Sequence, residues 1–115
     1  TKKSIKTFLM FQGRAKEALA LYENVFRDFK TIMIEYQTDA DGNDTDQIKQ
    51  AIVSVSGVEL MCIDSPTEHA FDFTPSMSLF VECEDEGEIN DLFAGLTKFA
   101  WASDPFGISW QLNLP

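Results

Sequence analysis

The chain has 115 residues, 44% of them hydrophobic, with ten phenylalanines and a formal charge of −10 from 19 acidic and nine basic side chains. That length fits one domain, and that apolar content is enough to fill a core. The acidic balance repels phosphate backbones and anionic lipid, which argues against nucleic-acid and membrane-surface roles, and no apolar run approaches the roughly 20 residues of a bilayer span. An anionic small ligand stays compatible with the charge, because a cleft can hold a local field of its own.

The opening TKKSIKTFLMF (1–11) sets basic residues before apolar ones. Its apolar part is too short for a signal-peptide core and no small-residue cleavage site follows. A cytoplasmic protein is expected. Within this stretch SIKTFLMF (4–11) is rich in β-formers and reads as a strand, broken by Gly13. RAKEALALYENVF (14–26) repeats Ala15, Ala18, Leu19, Tyr22, Val25 and Phe26 at three- and four-residue spacing, one apolar stripe along a helix. KTIMIEYQ (30–37) alternates as a strand with Ile32, Ile34 and Tyr36 on one face.

DADGNDTD (39–46) is an acidic, turn-rich connection. Its glycine comes too early for an EF-hand loop and no glutamate closes it, so a solvated turn is expected rather than a calcium site. IKQAIVSVSG (48–57) and VELMCID (58–64) are two further strands around a Ser56-Gly57 turn. The first half therefore reads β-α-β-β-β. SPTEHAFDFTP (65–75) has two prolines and no period, and reads as an arm. Cys62 and Cys83 lie in strands without CxxC spacing and read as buried reduced thiols.

The order then repeats. SMSLFVEC (76–83) is a strand; Asp85 and Glu88 have capping-box spacing and open a helix with Ile89, Leu92, Phe93 and Leu96 on its apolar face. FAWAS (99–103) and ISWQLNL (108–114) are strands joined by an Asp-Pro-Phe-Gly turn. Two units of roughly fifty residues thus share one order of elements. The second is one strand short: either a hairpin arm is naturally absent, or residues are missing between Lys98 and Phe99.

Duplicated β-α-β-β-β units, a helix carrying ALALYENVF and a closing DPFGISWQL resemble the vicinal oxygen chelate superfamily, the fold of glyoxalase I, extradiol dioxygenases and bleomycin-resistance proteins. More narrowly, FLMFQGRAKEALALYENVF, HAFDFTPSMSLFVEC and FGISWQLNLP resemble its PhnB-like branch, over nearly the whole chain. Some members of that branch carry a 3-demethylubiquinone-9 3-methyltransferase label. The sequence has no glycine-rich strand-to-helix loop of the kind that holds a methyl-donor nucleotide.

The resemblance implies an α+β fold: two βαβββ modules, about 1–64 and 76–115 joined by the arm 65–75, forming curved mixed sheets around a cleft within a single domain 1–115. Helices would cover the outer faces and the inner faces would line the cleft. Small acidic members often dimerise, so a homodimer is expected, with Phe71 and Phe73 of the arm as pegs on a partner.

Metal-dependent members hold one divalent ion through His, Glu or Gln on the first and last strand of each unit, leaving positions for two substrate oxygens. On this chain the first position falls on Lys6 or Thr7 and the fifth-strand position on Ser76. The last-strand position falls on Gln111, and the fourth is open among Met61, Cys62 and Asp64. Lysine cannot ligate and serine or threonine ligates poorly, so no bound metal and no cofactor are expected. His69, the only histidine, is expected to be a locally hydrogen-bonded loop residue.

With the cleft side implied by the resemblance, two-residue periodicity extends it to a wall: Ser109, Gln111 and Asn113 on the last strand, Ser76, Ser78 and Phe80 on the fifth, and Phe8 and Met10 on the first, with Thr7 and Leu9 the alternative register. Trp101 is a candidate for stacking a flat ligand or for a dimer interface. Trp110 shares a face with Leu112 and is expected in the core.

The expected function is metal-free binding of an unidentified small molecule in the cleft of a homodimer. The alternatives are a metal-dependent lyase, isomerase or dioxygenase using Mn, Fe, Ni or Zn, and an antibiotic-sequestering resistance protein. The sequence leaves open whether any reaction is catalysed.

Overall fold

The first half folds as a β-α-β-β-β unit: β1 (Thr7–Phe11), α1 (Ala15–Val25), β2 (Phe29–Thr38), β3 (Asp44–Val55) and β4 (Val58–Asp64). In the computed structural model, which describes residues 3–96 and 103–114, the chain divides into two units, Thr1–Glu68 and His69–Pro115. The sheet of the first runs β1-β4-β3-β2, with β1 parallel to β4 and the other pairs antiparallel. A parallel neighbour needs a crossover, and α1 supplies the first part of it. Gly13, at φ 113°, makes the turn from strand to helix in a region that L side chains avoid.

Helix α1 packs on this sheet through Ala15, Ala18, Leu19 and Tyr22, all buried. The two alanines let its backbone approach closely, and Tyr22 meets Phe26 edge-on at 6.4 Å. Under the helix lie Leu9, Phe11, Ile48, Ala51, Val53, Val55, Leu60 and Cys62. The β3–β4 hairpin turns on Ser56 and Gly57, both at positive φ (50° and 86°), the twist that suits a two-residue connection.

Two local expectations change. A bulge between Thr31 and Met33 sets Thr31 opposite Val53, so Ile34 and Tyr36 keep the helix side of β2 while Ile32 is 48% exposed. The acidic connection is shorter than its sequence suggests, because β3 begins at Asp44. The turn that is left closes on itself: Asp39 Oδ1 accepts the N–H groups of Asp41 (2.9 Å) and Asn43 (3.0 Å).

The second unit comprises β5 (Ser78–Glu82), α2 (Glu86–Leu96) and β6 (Ser109–Asn113), with β5 and β6 parallel. Asp85 Oδ1 accepts the Glu88 N–H (2.8 Å), and the Glu88 carboxylate reaches back to the N–H of Glu84 (2.7 Å), one residue earlier than in a standard capping box. Leu92 and Leu96 are buried, as are Cys83, Ile108 and Trp110. Phe93, expected on the apolar face, is half exposed.

Strand β5 starts at Ser78, two residues later than expected, because Pro75 and the Thr74–Ser76 hydroxyl contact (2.6 Å) hold a turn there. The expected strand 99–103 falls mostly outside the described residues, as do Trp101 and the Lys98–Phe99 junction. Ser103 forms an antiparallel bridge to Ser109. The architecture is mixed α+β, and no described helix is long and apolar enough to cross a membrane.

Candidate functional site

The turn before β6 is built by one buried carboxylate. Asp104 Oδ1 accepts the backbone N–H groups of Phe106 (2.9 Å) and Ile108 (3.1 Å), and Oδ2 accepts the Trp110 indole N–H (3.0 Å). Asp104 N–H donates to the Ile108 carbonyl, and Gly107 N–H to the Asp104 carbonyl. Asp104 and Trp110 are 5% and 3% exposed. The indole therefore meets an anion in the interior rather than water, and its ring is fixed beside the strand.

Strand alternation then sets the other face of the pair. The register Ser78↔Ser109, Phe80↔Gln111 and Glu82↔Asn113 puts these six residues on the side away from Trp110 and Leu112. Phe80 is 61% exposed. The side chains of Ser78, Ser109, Gln111 and Asn113 make no hydrogen bond to any described residue. Along β6 runs a pocket of about 470 Å³, whose described lining is Phe73, Pro75, Ser103, Gly107, Ser109, Trp110 and Gln111. Gly107, at φ 94°, takes the left-handed backbone that this turn needs, and Phe73 lies over it: a Cβ there would be in ordinary contact, 3.6 Å from the Phe73 Cβ.

Sequence reasoning missed Phe73 as a pocket residue. It lies over the turn of its own unit, beside Gly107. The Phe-x-Phe-x-Pro spacing of 71–75 was the available signal. Ser76, by contrast, lies in the turn and not on the strand face with Ser78. His69 stacks on Phe71 at 4.6 Å and is a partly buried residue of that segment.

In the first unit, Lys6, Phe8 and Met10 lie away from α1, whereas Leu9 and Phe11 face it. That settles the register between the two alternatives. Pairing adds Met61, Ile63, Ile52 and Gln50 to the same face. Its polar groups engage each other: Lys6 Nζ pairs with Glu59 (3.5 Å), and Gln50 Nε2 contacts Met61 Sδ (3.7 Å).

The three-way choice near the end of β4 also resolves. Leu60, Cys62 and Asp64 point to the helix side, leaving Met61 on the other. Asp64 is 1% exposed, and its carboxylate is a remote helix cap. Oδ1 accepts the N–H groups of Gly13 (2.9 Å) and Ala15 (3.0 Å), and Oδ2 that of Ile48 (2.8 Å). Arg14, at the N-cap position, gives no side-chain cap of its own. Beside it the Cys62 thiol is pushed up from 9.0 to about 12, first by burial and second by the Asp64 charge. A buried thiol held protonated is a packing group rather than a nucleophile.

The residues that the resemblance sets at the ligand positions are thus, on the face away from α1, an ammonium group paired with a carboxylate and a thioether, and, in the second unit, a turn serine and a neutral amide. No described group of three His, Cys, Asp or Glu side chains comes together. This donor set does not fit a divalent ion.

Among known proteins, residues 3–113 match the family model described as 3-demethylubiquinone-9 3-methyltransferase. A solved PhnB protein from Bacillus cereus, which carries the same description provisionally, is 36% identical over 98% of this chain and 100% of its own, with a TM-score of 0.84. Protein PA1353 from Pseudomonas aeruginosa is 20% identical over 98% of each chain, TM-score 0.71. FosX, a fosfomycin resistance protein from Listeria monocytogenes, is 11% identical over 100% of this chain and 92% of its own, TM-score 0.59. These last two likenesses show the fold alone. No curated protein matches the chain.

Proposed function

Because the chain belongs to the family described as 3-demethylubiquinone-9 3-methyltransferase, the PhnB-like branch of the vicinal oxygen chelate superfamily, we propose that it binds a small molecule without a metal ion, in the β6 pocket, as a homodimer. The observation that carries this reading is the row of unengaged hydrogen-bonding groups on β6 beside a pocket of about 470 Å³. That volume lies within the range of small-molecule sites, roughly 300–1,000 Å³, and a few placed polar groups on an apolar lining are their usual make-up.

Metal-free binding is supported by the donor set: the last-strand position is a neutral glutamine, and the other positions offer no imidazole or unpaired carboxylate. The methyltransferase description finds no support in the described strand-to-helix connections, 12–14 and 83–85, which hold one glycine, Gly13, and not the glycine-rich turn that brings a nucleotide onto a helix N-terminus. The dimer is supported by Phe8, Phe71 and Phe80, exposed to 54%, 58% and 61%; large aromatics in water mark surfaces that associate.

Elemental analysis of protein purified without chelator tests the reading. The expected result is far less than one ion per subunit. About one equivalent of Mn, Fe, Ni or Zn, lost in Gln111→Ala, would overturn it. Light scattering at micromolar concentration is expected to give a dimer mass, and a monomer alone would remove that part.

A further inference from the structure

Resting on that reading of the β6 pocket, we infer that its ligand is an uncharged planar molecule presenting an amide-like edge, a donor and an acceptor side by side, to Gln111. A primary amide at Gln111 offers both an N–H donor and a carbonyl acceptor, and neither is engaged by a described residue. The group that satisfies both at once is another amide, lactam or similar edge. Ser109 and Ser103 add hydroxyls beside it, and each can donate or accept. Phe73 and Pro75 supply carbon surface on which a flat ring can lie.

Charge selects against the alternatives. The described lining has no charged side chain. An anion would enter without a cationic partner among the described lining residues, against the field of a chain carrying −10. A cation would need a carboxylate at contact. The carboxylate nearest in sequence along the lining, Asp104, is turned to Phe106, Ile108 and the Trp110 indole. Glu82 is on the same face of β5 but exposed, opposite Asn113 and beyond the lining. Water screens a charge there. An ion in this half-open lining would give up part of its hydration with no charged partner among the described residues, whereas Gln111 returns a donor and an acceptor to a neutral amide.

Three probes of one shape separate the possibilities: benzamide, benzoate and benzamidinium. Each is titrated to millimolar concentration into isotopically labelled protein, following the Gln111 side-chain amide and the Trp110 indole N–H resonances. Benzamide is expected to shift both, with an affinity at least about tenfold above the two ions. In Gln111→Glu the order is expected to invert in favour of benzamidinium, and Gln111→Leu is expected to lose the benzamide response with an unchanged fold by its backbone spectrum. If benzoate or benzamidinium binds the native protein at these resonances as well as benzamide does, the charge assignment is overturned while the pocket stands. If none of the three moves either resonance, the pocket reading itself falls.

Discussion

Each unit contains one buried carboxylate, and the two do different work with the same chemistry. Asp64 joins segments 16, 49 and 51 residues away: β3, the N-terminus of α1 and the glycine turn before it. Asp104 reaches only two to six residues, to its own turn and the Trp110 indole. One carboxylate therefore closes a tertiary structure, and the other shapes a local pocket wall. The faces away from the helices differ in a parallel way. In the first unit Lys6–Glu59 and Gln50–Met61 engage each other; in the second, Ser109, Gln111 and Asn113 engage no described residue. Polar groups that already hold one another stabilise, modestly, and those left unengaged are available to a ligand.

The sharpest way to break that comparison is Asp64→Ala. It leaves three N–H groups without their acceptor, each costing about 1–3 kcal/mol when buried. A loss of about 4 kcal/mol or more in urea unfolding is expected, or no soluble fold at all. A loss under about 1 kcal/mol would show that water replaces the carboxylate and that the first unit has no such keystone. Asp104→Asn is expected to cost less, about 2 kcal/mol, because its partners are local and one oxygen survives. Its amide would face the Trp110 indole donor to donor, so tryptophan emission should shift even where global stability barely changes.

Alkaline pH gives the next effect, again confined to the first unit. Well below pH 9 the Cys62 thiol is protonated whether folded or unfolded, and its contribution is constant. Between 9 and about 12 only the unfolded chain releases the proton. Stability should then fall as pH rises, by at most about 1.4 kcal/mol per pH unit. Unfolding curves at pH 8 and 10 measure it, and Cys62→Ala should flatten that part of the slope. An equal slope in the variant would assign the loss to other groups.

The smallest changes sharpen the contrast between the two faces. Lys6→Ala removes a partly exposed ion pair and should cost about 0.5 kcal/mol or less, shrinking with salt. Gln111→Ala should leave stability within about 0.5 kcal/mol while abolishing ligand response. Destabilisation well beyond that would mean Gln111 belongs to the scaffold.

Much of this was legible in the chain. The period of 14–26 gave α1 to within a residue at each end, and VELMCID gave β4 outright, because burial of one face leaves a periodic mark. The alternation of 108–114 put Ser109, Gln111 and Asn113 on one face and Trp110 on the other, as the register has them. Ser76 was misplaced onto a strand because the proline and hydroxyl contact that delay the start of β5 to Ser78 carry no period. The bulge in β2 escaped for a similar reason: it depends on pairing with β3, not on its own residues.

The sequence alone determined which side chains share a face, since periods of 2 and 3.6 are properties of the local backbone. Together with the family resemblance, it set Gln111, Ser76 and Lys6 or Thr7 as the expected ligand positions. Only tertiary structure decided what the polar groups do. Asp64 reads identically as a metal ligand candidate or a helix cap until Gly13, Ala15 and Ile48 are brought to it. Phe73 has no visible place in a pocket until it is laid over Gly107. Hydrogen bonds and close contacts are set by distance in space, and residues dozens of positions apart have no distance until the chain has folded.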